Sequence, residues 1–233
     1  MTSTLFQDFN ERSKEVSKYF MFLKSLEHGN TKLAMVDKGG VSQKIKEIDP
    51  ELIKTLKASS FLLLYNLVEA TMRNAIQVIF DELKSQVVSY DQLRPELKKI
   101  VLKNLKKRNT DKIFSSITAI SIDIIHVGFD KDDLFSGNLD ARKIRTTATE
   151  YGFSDWTDYA KTGDGEDLVI IKSNRNDLAH GFKSFAEVGK DKTTDELLEI
   201  KNKTIKYLRK ILQNIEQYLS NQDYLDSSNL GNP

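Results

Sequence analysis

The chain has 233 residues, 39% of them hydrophobic and 30% charged, so it is long enough to bury one sizeable core. The 35 Lys and Arg residues against 34 Asp and Glu leave a formal net charge of +1, which creates no overall field toward nucleic acid or membrane. The absence of cysteine excludes disulfides, thiol nucleophiles and cysteine-bearing zinc sites. With three histidines, a multi-histidine metal site would need every one.

Motifs of common cofactor enzymes are absent from the sequence. It has no phosphate-binding P-loop, no glycine-rich dinucleotide turn and no His-Glu-x-x-His helix, so we expect neither a cofactor nor a metal. The N-terminus lacks the basic patch and apolar run of a signal peptide, which favours the cytoplasm. The apolar stretch from Phe61 to Phe80 predicts a buried helix and not a membrane span, because it contains Asn66, Glu69, Arg73, Asn74 and Gln77.

Apolar residues at helical spacing, bounded by proline and glycine, predict five helices before residue 152. In chain order they span Leu5 to Leu26, Pro50 to about Gln86, Arg94 to Lys107, Lys112 to about Ile125, and Asn138 to Tyr151. Either Asn138 or Asp140 caps the fifth. Lys32 to Ile48 predicts a loop or a short hairpin, and Ser154 to Gly165 predicts a surface loop.

The last helix has a clear start, because Thr193 and Glu196 form the sequence pattern of a capping box. It should end near Asn221. No internal repeat or interdomain linker is visible, so we predict one domain over residues 1–225 and a flexible tail over 226–233. The predicted architecture is all-α, an antiparallel bundle of long helices with shorter ones inserted.

A helix predicted from Asp164 to His180, and stopped by Gly181, carries an unusual residue on its apolar face. At about 100° per residue, Arg175 falls in the middle of the arc occupied by four apolar side chains, Leu168, Ile171, Leu178 and Ala179. A helix facing the core should carry an aliphatic residue there. The arginine therefore needs a reason.

Asn176 and His180 are four residues apart and flank this apolar face. His180 stands at the C-terminal end of the helix, where the dipole favours the protonated imidazole, and histidine is suited to acid and base work at neutral pH. Arg175 adds a permanent cation whose planar fork of donors matches a phosphate. Together these three residue types suit metal-free attack on a phosphodiester.

A structural explanation of the same residues remains open from spacing alone. Arg175 would then pair with a buried acid, His180 would be a satisfied C-terminal cap, and Asn176 would be an ordinary surface residue.

The run Arg175-Asn176-Asp177-Leu178-Ala179-His180 resembles the Arg-x4-His motif of HEPN-domain ribonucleases, including a polar residue after the arginine. Three further segments are similar to the bacterial MAE-type subgroup: Ser59 to Ala70, Gly137 to Arg145, and Leu178 to Gly181 with Ser184-Phe185. The similarity is strongest over residues 50–220.

This resemblance implies an RNA endonuclease of toxin–antitoxin or antiphage-defence systems that works without metal. It attacks a phosphate with the adjacent ribose 2′-hydroxyl, leaving a 2′,3′-cyclic phosphate and a 5′-hydroxyl. His180 would then be the acid/base group, Arg175 would bind the scissile phosphate and Asn176 would orient one of them. DNA lacks the nucleophile and should not be cut. The alternative is a non-catalytic HEPN scaffold that binds RNA, a nucleotide or a partner protein in a defence complex.

The resemblance further implies a homodimer whose two motifs face each other across a cleft, and a regulatory partner such as an antitoxin. Arg175 and His180 lie about 140° apart around one ideal helix, which fits a site completed by a symmetric partner. The sequence departs from some HEPN toxins at Phe182, where they carry a tyrosine that is modified by nucleotide transfer. Control by that modification is therefore in doubt here.

Two other features have a functional and a structural interpretation. Glu69 lies on an apolar stripe and either positions Arg175 or His180, or pairs with Arg73 one turn away. Between Arg94 and Lys112, eight basic residues against two acidic ones form either a track for an RNA backbone or the solvated face of an amphipathic helix.

Overall fold

The computed structural model describes residues 4–29, 31–36, 43–111, 113 and 120–227. In this part, nine α-helices and one two-stranded hairpin are present, which confirms the all-α prediction. The helices are α1 Thr4–Glu27, α2 Pro50–Ser85, α3 Pro95–Leu105, α4 Ile120–Val127, α5 Ala141–Tyr151, α6 Tyr159–Thr162, α7 Asp167–Ala179, α8 Phe185–Gly189 and α9 Thr194–Ser220. Three short 3₁₀ turns connect them, at Tyr90–Gln92, Lys131–Asp133 and Gly163–Gly165.

The segment left open as a loop or hairpin contains a hairpin. Strand β1, Leu33–Val36, pairs antiparallel with β2, Gln43–Lys46, and the register places Leu33 opposite Lys46 and Val36 opposite Gln43. The hairpin joins the first two long helices.

Helix α2 lies at the centre of the fold. It packs against α1, α7, α8 and α9, and it buries residues along its whole length, from Ala58 and Phe61 to Ile79 and Leu83. A helix that is apolar on nearly every side must be covered on nearly every side, which explains its membrane-like hydropathy. Within the described residues, no helix has the length and apolarity that crossing a membrane requires.

Local capping chemistry determines where the main helices start. Asp49 accepts a hydrogen bond from the Glu51 amide ahead of Pro50, as the sequence predicted for α2. Thr193 and Glu196 form the predicted capping box of α9, which ends at Ser220. Of the two candidate caps for α5, the structure uses Asp140, whose carboxylate accepts from the Lys143 amide.

Two boundaries differ from the prediction. The helix expected from Asp164 begins at Asp167, because Asp164 has a left-handed backbone with φ 48° and lies in a 3₁₀ turn. The loop expected over residues 154–165 contains the short helix α6, which Asp158 caps through the Ala160 amide. Four residues are too few to show a helical period. Of the predicted helix Lys112 to Ile125, only Ile113 and the part from Ile120 onward lie within the described residues.

Candidate active site

Helix α7 carries Arg175 from the core to a solvent-exposed cleft. Leu168 and Ile171 are buried on its inner face, and Arg175 follows them on that face, half-buried. The Arg175 guanidinium lies over the ring of Tyr65 in α2, with Cζ 4.3 Å from the ring centroid. This cation–π contact explains why an arginine can occupy the position, because the aromatic face partly replaces lost water.

The guanidinium also contacts the loop that precedes α5. Its Nη1 donates hydrogen bonds to the Gly137 carbonyl at 3.2 Å and to Oδ1 of Asn176 at 2.8 Å. Gly137 has φ +75°, and a Cβ there would lie 3.4 Å from Nη1. Glycine is therefore suited to this position twice over, since it adopts the left-handed conformation and leaves room for the arginine.

No carboxylate neutralises Arg175 in the part of the chain that the structure describes. Its partners are an aromatic face, a carbonyl oxygen and a side-chain amide, all of them neutral. The structural explanation by a buried acid is thus not what the described residues show. The guanidinium retains a full positive charge that an anion can approach from the cleft.

The cleft has a volume of about 370 Å³ between α2 and α7. Its polar lining consists of Tyr65, Asn66, Glu69, Arg73 and Arg175. Arg73 and Glu69 form the predicted pair one turn apart, with Nη2 2.7 Å from Oε1. Arg73 also donates to the carbonyls of Lys131 and Phe135, so this pair ties α2 to the loop before α5.

None of the described hydrogen bonds joins Glu69 to Arg175 or His180. Glu69 therefore shapes the cleft wall through Arg73, as the structural interpretation of the sequence had it. Burial acts to raise the pKa of the nearby Tyr65 hydroxyl, which stays protonated and accepts a hydrogen bond from the Leu139 amide at 3.1 Å.

Asn176 links Arg175 to the loop before α5. Its Oδ1 accepts from Arg175, and its Nδ2 donates to Oδ1 of Asn138 at 3.2 Å. Both hydrogen-bonding ends of the amide are engaged, which restricts its rotation and that of the guanidinium. The geometry thus gives Asn176 a positioning contact with the arginine.

An ion pair fixes this loop against α7. Lys172, one turn before Asn176, contacts the Asp140 carboxylate that caps α5. Partial burial acts to raise the pKa of Asp140, but the hydrogen bonds from Lys172 and the Lys143 amide outweigh it and lower this pKa. The carboxylate is therefore ionised at neutral pH and anchors residues 137–140 beside Arg175.

His180 occupies the C-cap of α7 and is exposed. The Phe182 amide donates to the Asp177 carbonyl at 2.8 Å and the Gly181 amide to the Leu178 carbonyl at 3.3 Å, which is a Schellman motif. The imidazole lies 5.6 Å from the Phe182 ring, centroid to centroid, and forms no side-chain hydrogen bond with any described residue. It does not line the Arg175 cleft.

One protomer therefore assembles two of the three predicted residues. Arg175 and Asn176 are in direct contact, whereas His180 stands at the helix end outside the cleft. Sequence reasoning did not assign site roles to Tyr65, Gly137 and Asn138. The signal for them was present, because all three lie in the segments that resemble the MAE-type subgroup.

The other two histidines are placed as ordinary residues. His28 lies 3.9 Å from the Asp195 carboxylate, and His126 is half-buried in α4, where desolvation lowers its pKa. Over the residues that the structure describes, no three His, Asp or Glu side chains are grouped closely enough to hold a metal ion.

Comparison with known proteins was made at three levels. A family model described as HEPN_MAE_28990-like HEPN matches residues 1–224, which is nearly the whole chain. Neither the curated proteins nor the solved structures give a significant match. HEPN domains have, in general, ribonuclease-like or other RNA-related functions. On its helical fold and on this match, the chain belongs to the HEPN_MAE_28990-like HEPN family.

Proposed function

We propose that the protein is a metal-independent endoribonuclease of a toxin–antitoxin or antiphage-defence system. The observation that carries this proposal is the uncompensated guanidinium of Arg175 in a solvent-exposed cleft. An arginine that faces only neutral partners is arranged to receive an anion, and its planar fork fits a phosphodiester. Family membership makes RNA the corresponding substrate class.

In the proposed reaction, Arg175 holds the scissile phosphate and stabilises the charge that develops on its oxygens. An imidazole removes the ribose 2′-hydroxyl proton, and the 2′-oxygen attacks phosphorus while the bond to the 5′-oxygen breaks. A second imidazole, as imidazolium, donates a proton to that leaving oxygen. The products are a 2′,3′-cyclic phosphate and a 5′-hydroxyl, and Asn176 keeps the guanidinium oriented.

A symmetric dimer supplies both imidazoles and closes the gap between cleft and histidine. His180 does not line the cleft of its own protomer, and the two residues are about 140° apart around the helix. In the proposed dimer, His180 of the partner subunit faces the Arg175 cleft, and two cleft–histidine pairs form. Because one imidazole acts as base and one as acid, the rate should have a bell-shaped dependence on pH.

The test is RNA cleavage in EDTA with single-stranded and structured RNA. The wild-type protein should cut both the isolated strand and exposed loops, leaving a cyclic phosphate, and should not cut a strand whose 2′-hydroxyls are replaced by hydrogen. Arg175→Ala and His180→Ala should each abolish cleavage, while His28→Ala, which removes an exposed histidine elsewhere, should retain it. Cleavage that persists in both site variants would refute the assignment.

Mixing the two inactive variants tests the composite site. If each site takes Arg175 from one protomer and His180 from the other, a heterodimer of Arg175→Ala and His180→Ala retains one intact site. After random exchange of subunits, roughly a quarter of the wild-type activity should return. No recovery, in a mixture shown to contain heterodimers, would place both residues of a site in one protomer.

A non-catalytic scaffold is the second candidate, and the exposed, unbonded His180 outside the cleft favours it. Such a scaffold would bind RNA, a nucleotide or a partner protein through Arg175 without reaction. It predicts that His180→Ala keeps all binding and loses no measurable activity. Growth inhibition on expression that disappears in His180→Ala, and that a co-expressed regulatory protein suppresses, would exclude the scaffold.

A further inference from the structure

The loop that contacts Arg175 also borders a second cavity, of about 400 Å³, between α3 and α5. Residues 134–136 and 138 form one wall of this cavity. The same loop gives the Gly137 carbonyl to Arg175 and the Phe135 carbonyl to Arg73 of the cleft. The cavity and the candidate active site are therefore neighbours with one loop in common.

Three lysines line the cavity, Lys103 and Lys107 from the α3 end and Lys143 from α5. Of its two acidic residues, Asp133 is engaged by Arg108 at 2.7 Å. The other, Glu150, lies 4.0 Å from Lys103. Lys107 and Lys143 form no ion pair within the described residues, so the cavity carries a local positive charge although the chain as a whole is nearly neutral.

Apolar and amide groups complete the lining. Phe135 and Tyr151 are buried and present apolar surface to the cavity, and Asn104 and Asn138 add side-chain amides. A lysine rim attracts a phosphate, an apolar wall accepts the face of a base, and amides can pair with a base edge. The volume is within the range of small-ligand sites. The combination matches one nucleotide unit.

Asn138 connects this cavity to the candidate active site, because it lines the cavity and accepts a hydrogen bond from Asn176. We propose that the cavity binds a nucleotide next to the cleaved linkage of a single-stranded RNA, with its phosphate at Lys107 and Lys143. The proposal rests on the proposed function, since it extends the path of the same RNA strand. It assigns part of the basic run between Arg94 and Lys112 to substrate contact.

The experiment measures binding of a fluorescent single-stranded RNA by anisotropy in the His180→Ala background, so that cleavage does not interfere. Lys107→Gln/Lys143→Gln should weaken binding about tenfold and reduce the slope of log affinity against log salt by about 1.4. The control, Lys106→Gln/Arg142→Gln, removes two exposed positive charges beside these positions but outside the cavity. It should lower the slope by less than half as much.

Equal effects of the two double variants, or no effect of the cavity variant, would overturn the proposal. So would a free mononucleotide that binds the cavity as tightly as the RNA does, because the site would then serve a small effector. Since binding is measured without catalysis, the two proposals fail separately. Wild-type protein that binds as expected but never cuts RNA refutes the nuclease alone, whereas a cutting enzyme indifferent to the cavity variant refutes the subsite alone.

Discussion

The ion pair between Asp140 and Lys172 should contribute to stability more than any exposed pair in the described chain. The Asp140 side chain is 13% exposed and that of Lys172 is 23% exposed, against 50% and 65% for Lys24 and Asp195. A hydrogen bond to a charged group contributes about 1.5 to 3 kcal/mol when it is shielded from water, whereas exposed pairs contribute little. Asp140 also caps α5, which adds about 1 kcal/mol.

Three variants separate these contributions. Asp140→Asn keeps a good capping side chain and removes the charge, so it should lower the free energy of unfolding by about 2 kcal/mol. Asp140→Ala removes the cap as well and should cost about 3 kcal/mol. Asp195→Asn, at the exposed pair, should change little. Urea unfolding at neutral pH, followed by circular dichroism, measures all three.

The pH dependence provides a second check. The pKa of Asp140 is lower in the folded chain than its ordinary value of 3.8, so the stabilisation is present above that value. It should be lost as the pH falls through the lower, folded-state pKa, and wild type and Asp140→Asn should then converge. A difference that is absent at pH 7, or that grows on acidification, would refute the reasoning.

Three further substitutions test the cleft and the core. Tyr65→Phe keeps the ring under Arg175 but leaves the buried Leu139 amide without its acceptor, so unfolding should become about 1 to 2 kcal/mol easier while RNA cleavage is retained. Arg175→Lys keeps the charge without the planar fork, and we expect a roughly hundredfold loss of cleavage at nearly unchanged melting temperature. Gly189→Ala would place a Cβ 1.9 Å from the Lys54 carbonyl oxygen, forcing α8 away from α2 at a cost of about 3 kcal/mol in a thermal melt. Retained stability of Gly189→Ala, or wild-type activity of Arg175→Lys, would contradict the respective prediction.

The helix boundaries that could be predicted are those set by local chemistry. Asp49 with Pro50 and Thr193 with Glu196 carry their capping groups within three residues, so the sequence alone locates the start of α2 and α9. Helix α6 was missed because it has four residues, and the start of α7 was set too early because a left-handed Asp164 leaves no mark in the apolar pattern.

The candidate site was predictable in its arginine and not in its surroundings. Helical spacing identifies Arg175 as an intruder on an apolar face, which requires only neighbouring residues. Its explanation lies in Tyr65 and Gly137, which are distant in sequence and meet it only through tertiary packing. The position of His180 outside the cleft likewise follows from the three-dimensional arrangement of α2 and α7, which spacing along one helix does not contain.

The Schellman motif at the end of α7 has a consequence for the motif spacing. Backbone hydrogen bonds hold Gly181 and Phe182 against the last turn, so His180 is tied to the helix register that also directs Arg175. Inserting one residue between them would rotate the imidazole by about 100° and advance it by about 1.5 Å relative to the guanidinium. The interval between arginine and histidine is thus a geometric dimension of the rigid helix, intolerant of single insertions or deletions even where each side chain, taken alone, is accessible to solvent.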